Sequence, residues 1–505
     1  MDKKVRVRFA PSPTGGLHLG GVRTVLYNYL FAKHNNGDFI LRIEDTDQTR
    51  YVPGAEEYIY ECLRWCGLNP DESPVVGGPH APYRQSERKE IYRQYAEQLV
   101  KGGHAYYAFD TPEDLDQKRA EIPNFQYGHT HRNTLKNSLA LSADEVSRLL
   151  AADTPHVIRI KMPEDEIVRF TDMIRGEVSF ETAQVDDKVL LKADGMPTYH
   201  LAVVVDDYLM KISHAFRGEE WLPSAPVHLL LWKYLGWENQ MPEWAHLPLI
   251  LKPEGNGKLS KRDGDRLGFP VFAMNWNDPK TGELTKGFRE IGFLPEAFIN
   301  MLAMLGWNDG TEQEIFTLEE LISKFSIERI HKAGAKFDFE KAKWFNAEWI
   351  KRTSVSELLP DVQRILEEKG ISQSDPESLE TVIALVKDRL TYVNDFWDQA
   401  SFFFQAPAGY DLGAIKAKWN DQKTVFFRSL IQALNDAATW NSTDLELLFK
   451  SLAETEGIKV GELMLPFRIM LVGGKFGPQV FDIASVLGKE ETVKRIDIAL
   501  TEFNK

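Results

Sequence analysis

The sequence contains few of the features that mark secreted or membrane proteins. Its 505 residues include only two cysteines, Cys62 and Cys66, which excludes a disulfide framework and fits a reducing, intracellular setting. It has no uninterrupted apolar run long enough to span a bilayer. The basic residues near the start are not followed by the apolar segment of a secretory signal. We therefore expect a cytoplasmic protein with no membrane partner.

The chain also lacks an excess of positive charge. Its formal net charge is −15, whereas non-specific nucleic-acid binders carry a basic excess that contacts phosphates. Any polyanionic partner must therefore bind to a locally basic surface of a protein that is acidic as a whole. A chain of 505 residues is too long for one compact core, so several domains are expected.

Neither common nucleotide-binding fingerprint fits the glycine-rich stretch "APSPTGGLHLGG" at 10–21. Its glycines lack the G-x-G-x-x-G spacing, and Val22 and Arg23 stand where a P-loop has lysine and a hydroxyl residue. The stretch lies between a predicted strand, "VRVRF", and a predicted amphipathic helix over 19–34. With the next strand, "FILRIEDTD", these segments predict a βαβ unit of a parallel sheet.

His18 lies at the predicted start of that helix. A helix N-terminus attracts phosphate, and an imidazole there can donate to a phosphoryl oxygen. A histidine bonded to a backbone carbonyl in a plain turn would also explain the position. The basic stretch "KLSKR" at 258–262 favours phosphate, because paired lysines in a glycine-rich loop suit a triphosphate. Alone, that stretch would be interpreted as a solvated loop.

Together the two elements resemble the HIGH and KMSKS signatures of class I aminoacyl-tRNA synthetases, written here as HLGG at 18–21 and KLSKR at 258–262. Further stretches are similar, in order and over nearly the whole chain, to bacterial glutamyl-tRNA synthetases. These are "RFAPSPTGGLHLGGVRT", "LRIEDTD", "DGMPTYHLAVVVDD", "RGEEW", "FDFEKAKWFN" and "GIKVGELMLPFRIMLVGG". The resemblance implies ATP-dependent activation of L-glutamate to glutamyl-adenylate and its transfer to tRNA-Glu in protein biosynthesis.

The resemblance implies an α/β fold in which a Rossmann-like parallel-sheet catalytic domain carries an inserted α/β domain. An all-α C-terminal anticodon-binding region follows. The expected domains are 1–104 and 189–250 for the two halves of the catalytic domain, 105–188 for the inserted acceptor-binding domain, 251–328 for the KMSKS-like loop and stem-contact domain, and 329–505 for the helical region in two subdomains. The residue pattern agrees, since it is helical throughout from about Ile315.

Charged residues at predicted strand ends suit an amino acid with two carboxylates and an ammonium group. Arg8 and Arg217 would pair bidentately with carboxylates, and Glu44 would pair with the ammonium. The glutamate-binding residues of the family map onto these three residues and onto Ala10, Ser12 and Tyr199. Some relatives carry Asn four residues after that tyrosine. Here Val203 stands there, so backbone or water must replace one carboxylate contact.

The same resemblance implies three catalytic residues. His18 and Lys261 would stabilise charge developing on the phosphates, and Lys258 would hold the loop and the triphosphate. The other ATP-binding candidates are Gly20, Glu220, Trp221, Leu251, Ser260 and Arg262. Mg²⁺ is implied by the triphosphate rather than by a ligand cluster. No zinc site is expected, because "HAYYAF" stands where some relatives have zinc-binding cysteines.

An acidic protein that binds tRNA needs a local basic surface. Between Arg329 and Arg352, basic residues outnumber acidic ones. A solvated helix face would also explain this excess. The tRNA-binding candidates are Lys336, Lys341, Lys343 and, as a reader of an anticodon base, Arg389. A monomer is expected.

Four other interpretations are open at this point. A glutaminyl-tRNA synthetase shares the catalytic fold but builds its anticodon region from β-barrels. A glutamyl-queuosine tRNA synthetase lacks the last third of this chain. A non-catalytic tRNA-binding paralogue would need neither signature element, and a generic nucleotidyltransferase would leave the helical last third unexplained.

Overall fold

The computed structural model of the protein describes residues 4–371 and 375–505. The chain forms two compact units, one of Met1–Glu290 with Phe298–Phe339 and one of Ile291–Ala297 with Glu340–Lys505. In the described part of the chain, no helix combines the length and apolar character needed to cross a bilayer.

The first unit begins with the predicted βαβ unit. Strand β1 (Arg6–Phe9), helix α1 (Leu19–His34) and strand β2 (Asp38–Leu41) follow one another, and the two strands pair in parallel from Arg6↔Asp38 to Phe9↔Leu41. Gly37, at the end of the turn into β2, lies close to the backbone of Val5. A Cβ at position 37 would be 2.4 Å from the Val5 carbonyl oxygen, so the position has no room for a side chain. The predicted helix and its boundaries are confirmed.

Four helices and five strands follow in the first unit. They are α2 (Ala55–Trp65), α3 (Lys89–Lys101), β3 (Ala105–Ala108), α4 (Pro112–Glu121), α5 (Ala143–Ala151), β4 (Val157–Ile160), β5 (Ile167–Asp172), β6 (Gly176–Glu181) and β7 (Val189–Leu191). Strands β3, β4 and β7 form one antiparallel sheet. Strands β5 and β6 form a hairpin whose register runs from Ile167↔Glu181 to Asp172↔Gly176.

The parallel framework then resumes with α6 (Tyr199–Leu209), β8 (His214–Gly218), α7 (Ala225–Tyr234) and β9 (Glu243–Leu247). Strands β8 and β9 pair in parallel. The backbone N–H of Ser213 donates to the carbonyl of Arg6 at 2.9 Å, which places the start of β8 beside β1. The carboxyl ends of β1 and β8 therefore lie at one edge, where open α/β sheets bind ligands.

Short elements complete the first unit. They are β10 (Ile250–Leu251), α8 (Lys261–Leu267), β11 (Trp276–Asn277), β12 (Leu284–Thr285), α9 (Pro295–Met304), α10 (Leu318–Lys324) and β13 (Ala335–Lys336). Strand β13 pairs in parallel with β10. The prediction of helix throughout from about Ile315 was wrong at this strand. Two residues are too few to show a period of apolar residues, and Ala335 and Lys336 are extended only because they pair with β10.

The second unit is built from helices. They are α11 (Phe339–Arg352), α12 (Val355–Glu368), α13 (Pro376–Val386), α14 (Phe396–Ala400), α15 (Asp421–Asp436), α16 (Ser442–Thr455), α17 (Val460–Val472) and α18 (Val480–Phe503). Helix α18 is broken at Gly488, which has a φ of 79°. Buried phenylalanines of α15 to α18, among them Phe449 and Phe467 with ring centroids 5.1 Å apart, form its core. The predicted all-α C-terminal region is confirmed.

Candidate active site

An open cleft in the first unit collects most of the residues proposed from the sequence. It has a volume of about 1170 Å³ and lies at the carboxyl ends of β1 and β8, beside the N-termini of α1 and α6. Its lining includes Arg8, Ala10, Ser12, His18, Gly20, Glu44, Tyr199, Arg217, Glu220, Trp221, Lys258 and Ser260. The lining does not include the predicted residues Leu251, Lys261 and Arg262.

His18 is the N-cap residue of α1. Its Nδ1 accepts the backbone N–H of Gly20 at 3.3 Å, so the proton of the neutral ring lies on Nε2. Among the described residues, that Nε2 has no hydrogen-bond partner, although it is buried. Burial, reinforced by Lys258, lowers the pKa of His18 to about 4. At pH 7 the ring is therefore a neutral N–H donor at a helix N-terminus, where anions bind.

The KLSKR stretch folds back along β10. The backbone N–H of Leu259 donates to the carbonyl of Ile250 at 2.9 Å, which brings the stretch to the rim of the cleft. Ser260 then begins α8, and its backbone N–H donates to the Asp263 carboxylate at 3.0 Å. The hydrogen bonds to Asp263 explain why the chain turns into a helix here.

Both lysines of this stretch are paired with glutamates. Lys258 Nζ lies 2.7 Å from Glu220 Oε1, and Lys261 Nζ lies 3.0 Å from Glu283 Oε1. All four side chains are partly exposed, and surface ion pairs of this kind contribute little to stability. The pairs can therefore exchange for a phosphate group at low cost.

A buried charge cluster contributes Arg8 and Glu44 to the cleft lining. Asp207 accepts Nε of Arg8 at 3.0 Å and NH1 of Arg42 at 2.8 Å, and NH2 of Arg42 donates to Glu44 at 3.2 Å. Arg8 is thus already paired with a carboxylate. Burial raises the pKa of Glu44 to about 7, against the opposing effect of Arg42 and Arg8.

Arg217 has a different environment, although it is also buried. Its Nε donates to His246 at 2.9 Å, and its NH1 lies 3.0 Å from the Tyr199 hydroxyl and 3.2 Å from Nδ1 of His228. Its NH2 is buried without a partner, and no carboxylate pairs with this arginine in residues 4–371 and 375–505. A buried cation without an anion is costly, so the cleft is suited to a ligand carboxylate.

Aromatic and apolar groups complete the cleft wall. The rings of Tyr199 and Trp221 lie 4.6 Å apart, and Trp221 keeps 43% of its surface exposed. An exposed indole in a cleft offers a stacking face for a base. Val203 is in the lining and buried, so its position in the cleft is apolar.

The predicted tRNA-binding residues lie outside this cleft. Lys336 is exposed in the first unit. In the second unit, Lys341 Nζ lies 3.7 Å from the centroid of the Trp344 ring, and Lys343 pairs with Glu340 at 2.6 Å. Arg389 is exposed, and burial together with the charge of Arg389 lowers the pKa of Arg468.

Several residues of the site were not predicted from the sequence. They are Arg42, Asp207, Asp172, His228 and His246, all buried. The acids at 206 and 207 carried a usable signal, because they directly follow an apolar helical run and a buried charge there requires partners. No comparable signal marks the two histidines or Asp172, since a single polar residue in a strand or helix is common.

The described residues contain no group of three or more His, Cys, Asp or Glu side chains placed to hold a metal ion. The thiols of Cys62 and Cys66 are both buried. Burial and the neighbouring Cys62 raise the pKa of Cys66. Its thiol is therefore protonated at neutral pH.

Two protein families match the chain, one on each side of residue 346. The family described as "tRNA synthetases class I (E and Q), catalytic domain" matches residues 4–344. The family described as "Anticodon binding domain" matches residues 348–500.

Named relatives match over the full length. Glutamate–tRNA ligase of Porphyromonas gingivalis is 53% identical over 501 residues, which are 99% of each chain. That of Flavobacterium johnsoniae is 53% identical over 506 residues, 99% of this chain and 100% of the other. A crystal structure of a glutamate tRNA ligase from Elizabethkingia meningosepticum in complex with its amino acid has a TM-score of 0.95 at 52% identity, covering 99% of this chain and 100% of the other.

Proposed function

Because the chain belongs to the glutamate–tRNA ligase family of class I aminoacyl-tRNA synthetases, we propose that it activates L-glutamate with ATP and transfers it to tRNA-Glu. The full-length matches confirm the resemblance that the motifs indicated and the fold class expected from it. The observation that carries the proposal is Arg217, a buried cation without a carboxylate partner among the described residues, in the same cleft as the His18 donor.

The proposed reaction has two steps. An oxygen of the glutamate α-carboxylate attacks the α-phosphate of ATP, the bond between the α-phosphate and the bridging oxygen breaks, and pyrophosphate leaves. The 2′-hydroxyl of the terminal adenosine of tRNA then attacks the carbonyl carbon of glutamyl-adenylate, and AMP leaves. Positioning and electrostatic stabilisation supply the catalysis, so the enzyme needs no side-chain nucleophile.

Five charged or polar residues of the cleft have a proposed role in the first step. Arg217 binds a substrate carboxylate through its free NH2, and Glu44 pairs with the ammonium group. The Nε2–H of His18 donates to a phosphoryl oxygen, aided by the N-terminus of α1. Lys258 leaves Glu220 for the triphosphate. Arg8 is held by Asp207 through Nε and NH2 and by the Phe216 carbonyl through NH1, so only its remaining N–H groups are left for the ligand.

The remaining proposals concern cofactors and partners. Mg²⁺ would enter as part of the MgATP substrate, because a triphosphate binds this ion through its own oxygens. tRNA-Glu would contact Lys336, Lys341, Lys343 and Arg389. The enzyme would act in the cytoplasm as a monomer, which light scattering on the purified protein would test.

Charging assays on purified tRNA test the proposed function. We expect radiolabelled glutamate, and not glutamine, to be joined to tRNA-Glu when ATP is present. The same assay on tRNA-Gln shows whether that tRNA is also a substrate. Charging with glutamine in place of glutamate would support a glutaminyl-tRNA synthetase, and no charging with either would support the non-catalytic paralogue.

Lys261→Ala tests the role of the KLSKR stretch. We expect the rate of adenylate formation to fall by about 100-fold or more, as for the loss of one transition-state charge contact. Lys280→Ala, which removes an exposed lysine from the same region, is the matched control and should leave the rate unchanged. A Lys261→Ala enzyme with wild-type turnover would remove this lysine from the mechanism.

A further inference from the structure

Asp172 is a buried carboxylate at the end of β5 whose oxygens meet only donors. Its Oδ1 accepts the backbone N–H groups of Ile174 at 3.0 Å and Arg175 at 2.9 Å. Its Oδ2 accepts the backbone N–H of His246 at 3.1 Å and lies 2.5 Å from the ring Nδ1 of that histidine. Burial opposes ionisation, but the bonds from the His246 ring and Arg175 outweigh it and lower the pKa of Asp172.

The ionised carboxylate determines which nitrogen of His246 carries the proton. A carboxylate only accepts hydrogen bonds, so Nδ1 of His246 must be the donor. Burial and Arg217 lower the pKa of His246 in spite of Asp172, so the ring is neutral and its Nε2 keeps a lone pair. That lone pair accepts Nε–H of Arg217 at 2.9 Å. With the proton on Nε2, two N–H groups would face each other.

Three further contacts enclose the guanidinium of Arg217. Its NH1 lies 3.0 Å from the Tyr199 hydroxyl and 3.2 Å from His228 Nδ1, and its carbon lies 5.0 Å from the centroid of the Trp244 ring. Burial and Arg217 lower the pKa of His228 well below its ordinary value, so this ring is a neutral acceptor too. The arginine is held on every side except at NH2, which is the nitrogen left for a ligand.

We propose that Asp172 and His246 are positioning residues for glutamate, which hold the Arg217 guanidinium so that its NH2 meets a substrate carboxylate. The inference rests on the proposed function, because it assigns Arg217 to the amino-acid substrate. A free arginine side chain samples many rotamers, and a displacement of about 1 Å at a binding group can cost about 100-fold in rate. The hairpin β5–β6 thereby takes part in substrate binding without lining the cleft.

Two substitutions of His246 separate hydrogen bonding from volume. In His246→Gln the amide carbonyl can accept from Arg217 while the amide N–H donates to Asp172, whereas His246→Leu can do neither. We expect His246→Gln to keep the KM for glutamate within about threefold of wild type. We expect His246→Leu to raise it about 10- to 100-fold, with the KM for ATP and for tRNA-Glu unchanged.

Asp172→Asn tests the other partner. All four groups that contact the Asp172 carboxylate are hydrogen-bond donors. In either orientation of the asparagine amide, its NH₂ group would therefore face an N–H group with which it cannot bond. The KM for glutamate should rise about 10- to 100-fold, as for His246→Leu. Arg169→Gln is the control, because it changes an exposed side chain on the same strand β5. It should change no KM by more than about threefold.

Three results would overturn the inference. The first is an unchanged KM for glutamate in His246→Leu. The second is an equal rise of all three KM values in His246→Gln and His246→Leu, which would show a structural role alone. The third is an Nε2–H tautomer of His246 in wild type at pH 7, measured by NMR on ¹⁵N-histidine protein, which requires no variant to fold. A wild-type enzyme that does not charge glutamate would instead overturn the proposed function, and this inference with it.

Discussion

Glu44 is a cleft residue whose ionised form is disfavoured by burial. Burial raises its pKa to about 7, even though Arg42 and Arg8 favour the ionised form. A bound ammonium group would add a compensating charge and pull the pKa down again. In the proposed role, ionised Glu44 is the form that binds glutamate.

The pH dependence of glutamate binding follows from this shift. The KM for glutamate should rise as the pH falls from 8 to 6, because protons compete with the substrate ammonium at Glu44. Glu44→Gln should raise the KM at pH 8 by about 10- to 100-fold, the value of a charged hydrogen bond, and flatten its pH profile. Asp47→Asn, an exposed acid in the cleft lining, should keep the wild-type profile. A Glu44→Gln profile like that of wild type would contradict the assignment.

The same shift has a stability consequence with a definite sign. The pKa of Glu44 is higher in the folded state than in the unfolded state, so proton binding by Glu44 stabilises the fold. This contribution to the free energy of unfolding is fully present below about pH 4.5 and is lost as the pH rises through about 7. Glu44→Gln should therefore be more stable than wild type at pH 8 and equal to it near pH 4, as measured by chemical denaturation.

At the scale of elements, helix α1 depends on a side chain that is also a proposed catalytic group. Nδ1 of His18 caps the helix through Gly20 N–H, while Nε2 remains without a partner among the described residues. Asparagine is a good N-cap residue but has no group equivalent to Nε2–H at the same reach. A substitution can therefore separate the two roles.

His18→Asn should keep the stability of the protein and lose activity, whereas His18→Ala should lose both. We expect the rate of adenylate formation to fall about 100-fold in each variant, the cost of one donor to the developing charge. The free energy of unfolding should fall by about 1 kcal/mol in His18→Ala alone. Rate measurements and denaturation curves on both variants check this. Wild-type turnover in His18→Asn would mean that His18 is only a cap.

Much of the element pattern could be predicted from the sequence, and less of the site. The period of apolar residues located α1 at its observed bounds, because that period is a local property. The cap and loop residues His18 and Lys258 were found through the local motifs that carry them. Asp172 and His246 were not found, because they meet only where the end of β5 lies against β9, as the 2.8 Å bond from Met173 N–H to the Trp244 carbonyl shows.

On the scale of the whole molecule, an acidic chain has to bind an acidic partner. The formal net charge is −15, so attraction to tRNA would depend on local basic groups, of which Arg389 is the proposed base reader. Arg468 NH1 lies 3.1 Å from the carbonyl oxygens of Phe476 and Gly477, and burial and the charge of Arg389 lower the pKa of Arg468. Two like charges that influence each other suit a contact with an anionic partner.

Arg389→Gln tests this contact on the intact protein. If Arg389 reads an anticodon base, the ratio of kcat/KM on tRNA-Glu to that on tRNA-Gln should change by about tenfold, since one base contact contributes about 1–3 kcal/mol. Arg428→Gln, which removes another exposed arginine of the second unit, should leave the ratio unchanged. Equal losses on both tRNAs would assign Arg389 to the phosphate backbone or to structure.

The βαβ start, the helical last third and the family could be predicted before folding was considered, because they depend on local periodicity and on contiguous motifs. The pairing of the buried charges became visible only in the folded chain. It pairs Arg8 with Asp207 and leaves NH2 of Arg217 without a partner among the described residues, although both arginines lie at strand ends. The physical reason is that the charge state and free donors of a buried group depend on neighbours distant in the chain, which no local pattern encodes.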